Sequence, residues 1–124
     1  MKGDVQARAT VLLVEDEWLV RDVIAAELEE AGFSVIQAGE AQEALALLSQ
    51  VDRLDLLFTD IKLPGRLSGW DIAEEARIRM PDLPIIYATG FSEGRERQLG
   101  RSYFLPKPFD PKRLLQAVRE LGVM

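Results

Sequence analysis

The chain has 124 residues, a length that suits one compact domain rather than two. It contains no Cys and no His, so disulfides, thiolate or imidazole metal sites, thiol nucleophiles and histidine-based triads are excluded. With 15 basic residues against 21 acidic ones the net charge is −6, which disfavours a nucleic-acid-wrapping module, and 48% apolar content sets aside a disordered chain. No apolar run approaches a membrane span, and Met1-Lys2-Gly3-Asp4 opens no signal peptide. A soluble, cytoplasmic protein is the expectation, with chemistry supplied by carboxylates, Lys, hydroxyls and a hard metal.

Val11-Leu12-Leu13-Val14 is a strand-like run that stops at Glu15-Asp16-Glu17. Val20, Val23, Ile24, Leu28 and Ala31 then fall at helical spacing, with Gly32 where a C-terminal cap belongs. Glu27, Glu29 and Glu30 form the wet side of that helix. Residues 33–38 read as a second strand, and Ala41, Ala44, Leu45 and Leu48 as the face of a second helix. Residues 54–59, interrupted by Asp55, make a third strand ending at Asp60, and Pro64 and Gly65 mark the loop that follows. Ile72, Ala73, Ala76 and Met80 give a third helix, stopped before Pro81. Residues 84–89 form the fourth strand and Tyr103-Phe104-Leu105 a short fifth. Asp110 is a natural N-cap for a last helix with Pro111 at its first position and Leu114, Leu115, Val118 and Leu121 on its stripe. Alternating strands and helices, with strands apolar throughout, imply a parallel sheet covered on both faces, an α/β three-layer sandwich.

In such a sheet the ligand crevice lies outside the carboxyl ends of the strands. That rim collects Glu15 and Asp16 after the first strand, Asp60 after the third, Thr89 after the fourth and Lys107 just past the fifth. A lone carboxylate at a strand end is ordinarily a solvated loop residue or a helix cap; several such groups on one edge point to a site. Clustered carboxylates stay ionised only around a cation, and an all-oxygen donor set selects a hard one, by default Mg2+. A carboxylate can attack phosphorus to give an acyl phosphate, with Lys107 and Thr89 neutralising and hydrogen-bonding the remaining oxygens. The parts are those of a phosphoryl acceptor.

These residues occur in segments that resemble the receiver domain of two-component response regulators. Val11-Leu12-Leu13-Val14-Glu15-Asp16-Glu17 resembles the first strand with its acidic pair, and Leu57-Phe58-Thr59-Asp60-Ile61-Lys62-Leu63-Pro64-Gly65 the phosphoacceptor segment. Ala88-Thr89-Gly90 resembles the switch threonine and its small neighbour, and Leu105-Pro106-Lys107-Pro108-Phe109 the lysine–proline end of the fifth strand. The resemblance implies a five-stranded parallel sheet in the order 2-1-3-4-5, with a domain at 10–122 after a lead-in at 1–9 and no output domain in this chain. It implies that Asp60 is phosphorylated by a phosphohistidine of a sensor histidine kinase or a histidine phosphotransfer protein. Asp16 then ligates Mg2+ directly, Glu15 through water, Asp60 as acceptor and ligand, and Lys62 by its backbone carbonyl. Thr89 swings toward the phosphoryl group, the aromatic Phe104 follows, and Lys107 pairs with Asp60. The resemblance also raises the expectation of a cis bond between Lys107 and Pro108.

Two departures from the family pattern stand out. The loop after Asp60 reaches Gly69 one residue late, and the stretch between Thr89 and Lys107 is about one helical turn short. With Gly90, Gly94 and Gly100 in it, that stretch is poor helix material, and its fourth helix is expected to be shortened, mobile and a weak dimer surface, leaving a monomer. Trp18 and Trp70 are read as covers of the core edge, and Arg95, Arg97 and Arg101 as a solvated face. Two other functions compete: a small Mg2+-dependent phosphatase of the aspartyl-phosphate type, and a receiver-like interaction module that is never phosphorylated. The phosphatase needs a second acid two residues after the nucleophile, where Lys62 stands. The intact set of acceptor residues argues against the interaction module. No direct nucleic-acid or membrane partner is expected.

Overall fold

The computed structural model describes residues 8–90 and 94–124. Most of the lead-in expected at 1–9, and residues 91–93 of the stretch expected to hold the shortened fourth helix, lie outside the described residues. Strands β1 (Thr10–Val14), β2 (Ser34–Ala38), β3 (Leu56–Asp60), β4 (Ile85–Thr89) and β5 (Ser102–Pro106) form one sheet in the order β2-β1-β3-β4-β5. Every neighbouring pair is parallel. Among the described residues four α-helices cover it: α1 (Trp18–Glu30), α2 (Ala41–Gln50), α3 (Gly69–Arg79) and α4 (Pro111–Glu120). None is long and apolar enough to cross a membrane.

The strands bury both faces, as their continuous apolar runs require. Leu12 and Val14 join Leu57, Ile85 and Tyr87 beneath α2 and α3, where Ala44, Leu48, Ile72 and Ala76 close the layer. Val11 and Leu13 join Phe58, Ile86 and Leu105 beneath α1 and α4, closed by Ile24, Leu28, Leu114 and Val118. Each such side chain contributes about 1.5–3 kcal/mol relative to exposure, so the central strands dominate the stability. The edge strand β2 departs from the pattern, because Ser34 and Gln37 face solvent.

Local signals at the helix ends act as the sequence indicates. Gly32 takes φ +104 after α1, a left-handed conformation open to glycine at no steric cost. Ser68 and Asp71 form a reciprocal capping box at the start of α3, and the Asp110 carboxylate accepts from the Arg113 N–H at the start of α4. Val23, expected on the buried stripe of α1, is exposed; the helix turns Ile24, Ala25 and Leu28 to the sheet instead. Between β4 and β5 the described residues hold a single 3-10 turn, Arg95–Arg97, where a shortened fourth helix is expected from the sequence.

One glycine fixes how β3 meets α3. The Gly69 N–H donates to the Ile61 carbonyl at 2.8 Å, and a Cβ on Gly69 would overlap the Asp60 carbonyl oxygen. That obstacle is backbone and cannot rotate aside. Gly69→Ala is therefore expected to cost about 3 kcal/mol in urea unfolding. Gly39→Ala, whose added carbon meets only the far end of the Arg21 side chain at 2.8 Å, should cost about 1 kcal/mol or less.

Candidate functional site

Backbone bonds past the strand ends assemble the rim. The Glu15 N–H donates to Ala38 at 3.1 Å, the Ile61 N–H to Ala88 at 3.1 Å, and the Lys107 N–H to Thr89 at 2.8 Å. Glu15, Asp60, Thr89 and Lys107 thus come to one edge of the sheet. Arg21 on α1 adds a further tie, its Nη1 donating to the Glu15 carbonyl at 2.8 Å. No side chain caps α1, so the acids after β1 are not spent on that helix as N-caps.

At the centre, Lys107 Nζ donates to Glu15 Oε1 at 2.7 Å and to Asp60 Oδ2 at 3.0 Å. The other Glu15 oxygen, Oε2, accepts from the Glu17 N–H at 3.0 Å. The Glu15 side chain is 0% exposed, that of Asp60 9% and that of Lys107 24%. Asp16, by contrast, faces solvent. Ligand oxygens of Glu15, Asp16 and Asp60 lie within 4.8 Å of one another. An open cleft of about 470 Å3 lies over this cluster, with Asp16, Asp60, Lys62, Thr89 and Lys107 in its walls.

Burial pushes the Glu15 carboxyl above the usual range, against hydrogen bonds from Lys107 and the Glu17 backbone. Asp60 is raised for the same reason, opposed by Lys107 and by a hydrogen bond from the Lys62 backbone. Burial works against the charge on Lys107 too, but its bonds to Glu15 and Asp60 outweigh this and hold its pKa above the ordinary lysine value. The arrangement is two desolvated acids sharing one ammonium.

Of the residues singled out by sequence, Glu15, Asp60 and Lys107 are in direct contact. Asp16, Lys62 and Thr89 line the same cleft, Lys62 with its side chain exposed and Thr89 buried at the end of β4. Phe104 stands away from the cleft, half-buried on β5 in register with Tyr87. The Lys107–Pro108 peptide bond is cis. Trp70 is buried against Tyr87, with ring centroids 4.6 Å apart, whereas Trp18 is 64% exposed. Of the three arginines read as a solvated face, Arg95 and Arg101 are exposed, while Arg97 is half-buried and pairs with Asp71 at 3.1 Å and Glu74 at 2.9 Å. Sequence reasoning also missed Arg21 and Gly39, the latter leaving room for the Arg21 guanidinium. Arg21 is one charge among many on α1, and no local pattern marks it.

A parallel sheet of this order, with an acidic cluster and a lysine at its carboxyl rim, defines a receiver-type module. The family model described as response regulator receiver domain matches residues 11–119, and the chain belongs to this family of two-component signalling domains. The sensor kinase CckA of Brucella abortus is 34% identical over 123 residues, which cover 95% of this chain and 13% of that kinase. The crystal structure of a response regulator receiver protein from Sinorhizobium medicae superposes with a TM-score of 0.87 at 31% identity, covering 92% of this chain and 94% of that one. The response regulator TrrA of Thermotoga maritima, solved in complex with Mg2+–BeF, gives a TM-score of 0.81 at 30% identity over 91% of this chain and 98% of that one. The chain spans about half the length, 46% and 47%, of other curated relatives it matches. Receiver domains are signalling modules rather than enzymes in the usual sense.

The raised pKa of Asp60 has a consequence for stability. Between its unfolded and folded values the folded state holds the extra proton, so stability falls as pH rises through that window. An amide escapes that cost, while Glu15 still holds Lys107. Asp60→Asn should raise the Tm at pH 7 by roughly 2–8 °C, equivalent to about 1 kcal/mol. The gain should shrink as the pH falls to about 4, near an ordinary aspartate pKa. Thermal melts across that range check it.

Proposed function

We infer that Asp60 accepts a phosphoryl group from the phosphohistidine of a partner, a sensor histidine kinase or a histidine phosphotransfer protein. The observation that carries this reading is the Asp60 carboxylate, recessed at the end of β3, walled by an open cleft and 3.0 Å from the Lys107 ammonium. The chain has no His of its own, so the donor imidazole comes from elsewhere.

The donor set fits a hard cation: Asp16 and Asp60 offer carboxylate oxygens to the cleft, with the Lys62 carbonyl as a third and Glu15, held by Lys107 and the Glu17 N–H, acting through water. Bound Mg2+ supplies charge compensation for the acids and for the incoming phosphoryl oxygens. The Asp60 carboxylate attacks phosphorus; a P–O bond forms, the P–N bond breaks, and its electron pair stays on the donor imidazole. Lys107 neutralises an oxygen of the transferred group, and the Thr89 hydroxyl hydrogen-bonds another. Autophosphatase activity is at most weak. Thr89 and then Phe104 carry the change outward. The domain at 10–122 acts in the cytoplasm as a monomer.

With Mg2+ and acetyl phosphate the protein should gain one acid- and base-labile phosphate, on Asp60, and Asp60→Asn should abolish it. Mass spectrometry of the labelled protein checks this; equal labelling of Asp60→Asn overturns the assignment. In a separate Mg2+ titration Asp16→Ala should weaken binding by about tenfold or more, and Glu15→Ala by less. Intrinsic tryptophan fluorescence follows the titration.

A further inference from the structure

Asp16 is an exposed residue in the loop between β1 and α1, so what aims its carboxylate is the backbone that carries it. Both peptide planes that flank it are held by side chains. After it, the Glu17 N–H donates to Glu15 Oε2 at 3.0 Å, and that carboxylate is fixed in turn by Lys107 at 2.7 Å. Before it, the Glu15 carbonyl accepts from Arg21 Nη1 at 2.8 Å. Because a peptide unit is planar, a bond to that carbonyl sets the direction in which the chain enters Asp16. The Arg21 guanidinium lies in a space left at Gly39, where an added Cβ would stand 2.8 Å from Nη1. Gly39 is not among the glycines with positive φ, so its backbone would suit an ordinary side chain, and the room it leaves is what sets it apart from alanine. Its N–H donates to Glu43 Oε1 at 2.7 Å, which fixes that wall of the space.

We propose that Arg21, seated in the space left by Gly39, is a positioning residue that aims Asp16 into the cleft and so sets the affinity for the divalent cation. The inference rests on the reading of Asp16 as a Mg2+ ligand. Arg21 acts through the Glu15–Asp16 peptide rather than by contact with the ion. The sign of its effect separates this role from simple electrostatics. A guanidinium repels a dication, so loss of the charge alone would tighten binding. Loss of the tie frees the Asp16 backbone, and ordering a loose ligand on binding costs conformational entropy, which weakens it. The tie outweighs the repulsion, because water and salt screen a half-buried guanidinium whereas its contact with the carbonyl is direct.

Two variants of the full chain test this. Arg21→Ala removes the tie and the charge together, whereas Gly39→Ala keeps the charge and displaces the guanidinium from the carbonyl. Mg2+ titrations followed by amide NMR shifts should show binding weakened about three- to tenfold in both. Without Mg2+ the Asp16 amide resonance should already have moved in both. The urea midpoint of Gly39→Ala should fall by about 0.5 M or less, so that the loss of affinity is not a loss of fold. Should Arg21→Ala fail to fold, Gly39→Ala decides alone. Unchanged or tighter binding in either folded variant overturns the inference, as does an unmoved Asp16 resonance or a larger fall in the urea midpoint of Gly39→Ala. A parent protein that takes up no Mg2+ overturns the metal reading on which the inference rests, and the ligand-free Asp16 resonance still decides whether Arg21 holds the loop.

Discussion

Two carboxylates, one fully buried and one nearly so, lie side by side at the rim because a single ammonium serves both. Burial alone pushes Glu15 and Asp60 toward protonation, and Lys107 is the counter-charge that opposes it. The tie joins residues at the ends of β1, β3 and β5, which are not all neighbours in the sheet. It therefore braces the carboxyl edge across the strand order rather than along it. Fully buried Glu15 keeps the lysine anchored while Asp60 faces the cleft. Any anionic group joined to Asp60 would compete with Glu15 for the same ammonium, and the change would be felt on β1 and β5.

Much of this was legible in the chain because a sheet buried on both faces has nowhere to put polar residues except its ends. Val11 and Leu13 feed one layer and Leu12 and Val14 the other, so an unbroken apolar run marked β1, and the acids that stop it marked the rim. The helix signals at Gly32, Ser68 and Asp110 are local, and local chemistry was enough to read them. Contacts between distant residues left no such trace. Lys107 and Glu15 are 92 positions apart, and nothing in either neighbourhood shows that the lysine is divided between two acids. Arg21 and Arg97 carry the commonest kind of surface residue into specific contacts, and only the folded geometry distinguishes them. Val23 was misplaced because helical spacing leaves a stripe uncertain by one neighbour, and Ala25 took the buried place.

The two sides of the cleft are built on different principles. The β1 side rests on α1, whose Ile24, Ala25 and Leu28 are sunk into the sheet. The β4 side leads into residues 94–101, where guanidinium groups and carbonyls do much of the fastening and Leu99, Gly94 on Trp70 and Arg95 on Phe104 supply the packing. Polar fastening of this kind is screened and weakened by salt, whereas apolar burial is not. Asp71 takes part in both regimes, capping α3 and pairing with Arg97, and these bonds hold its carboxyl below the ordinary range.

The close approach of Gly69 to the Asp60 carbonyl divides the intervening loop into two zones. At the junction itself the helix start is keyed to the end of β3 by backbone alone, with no side chain between them to act as a cushion. Upstream, Pro64, Gly65 and Arg66 lie exposed, and Gly65 bends the chain at φ +93. A residue gained or lost there would fall in exposed loop, away from the Gly69 contact. The exposed part of the loop can thus vary in length and charge while Asp60 and the first turn of α3 stay in fixed alignment.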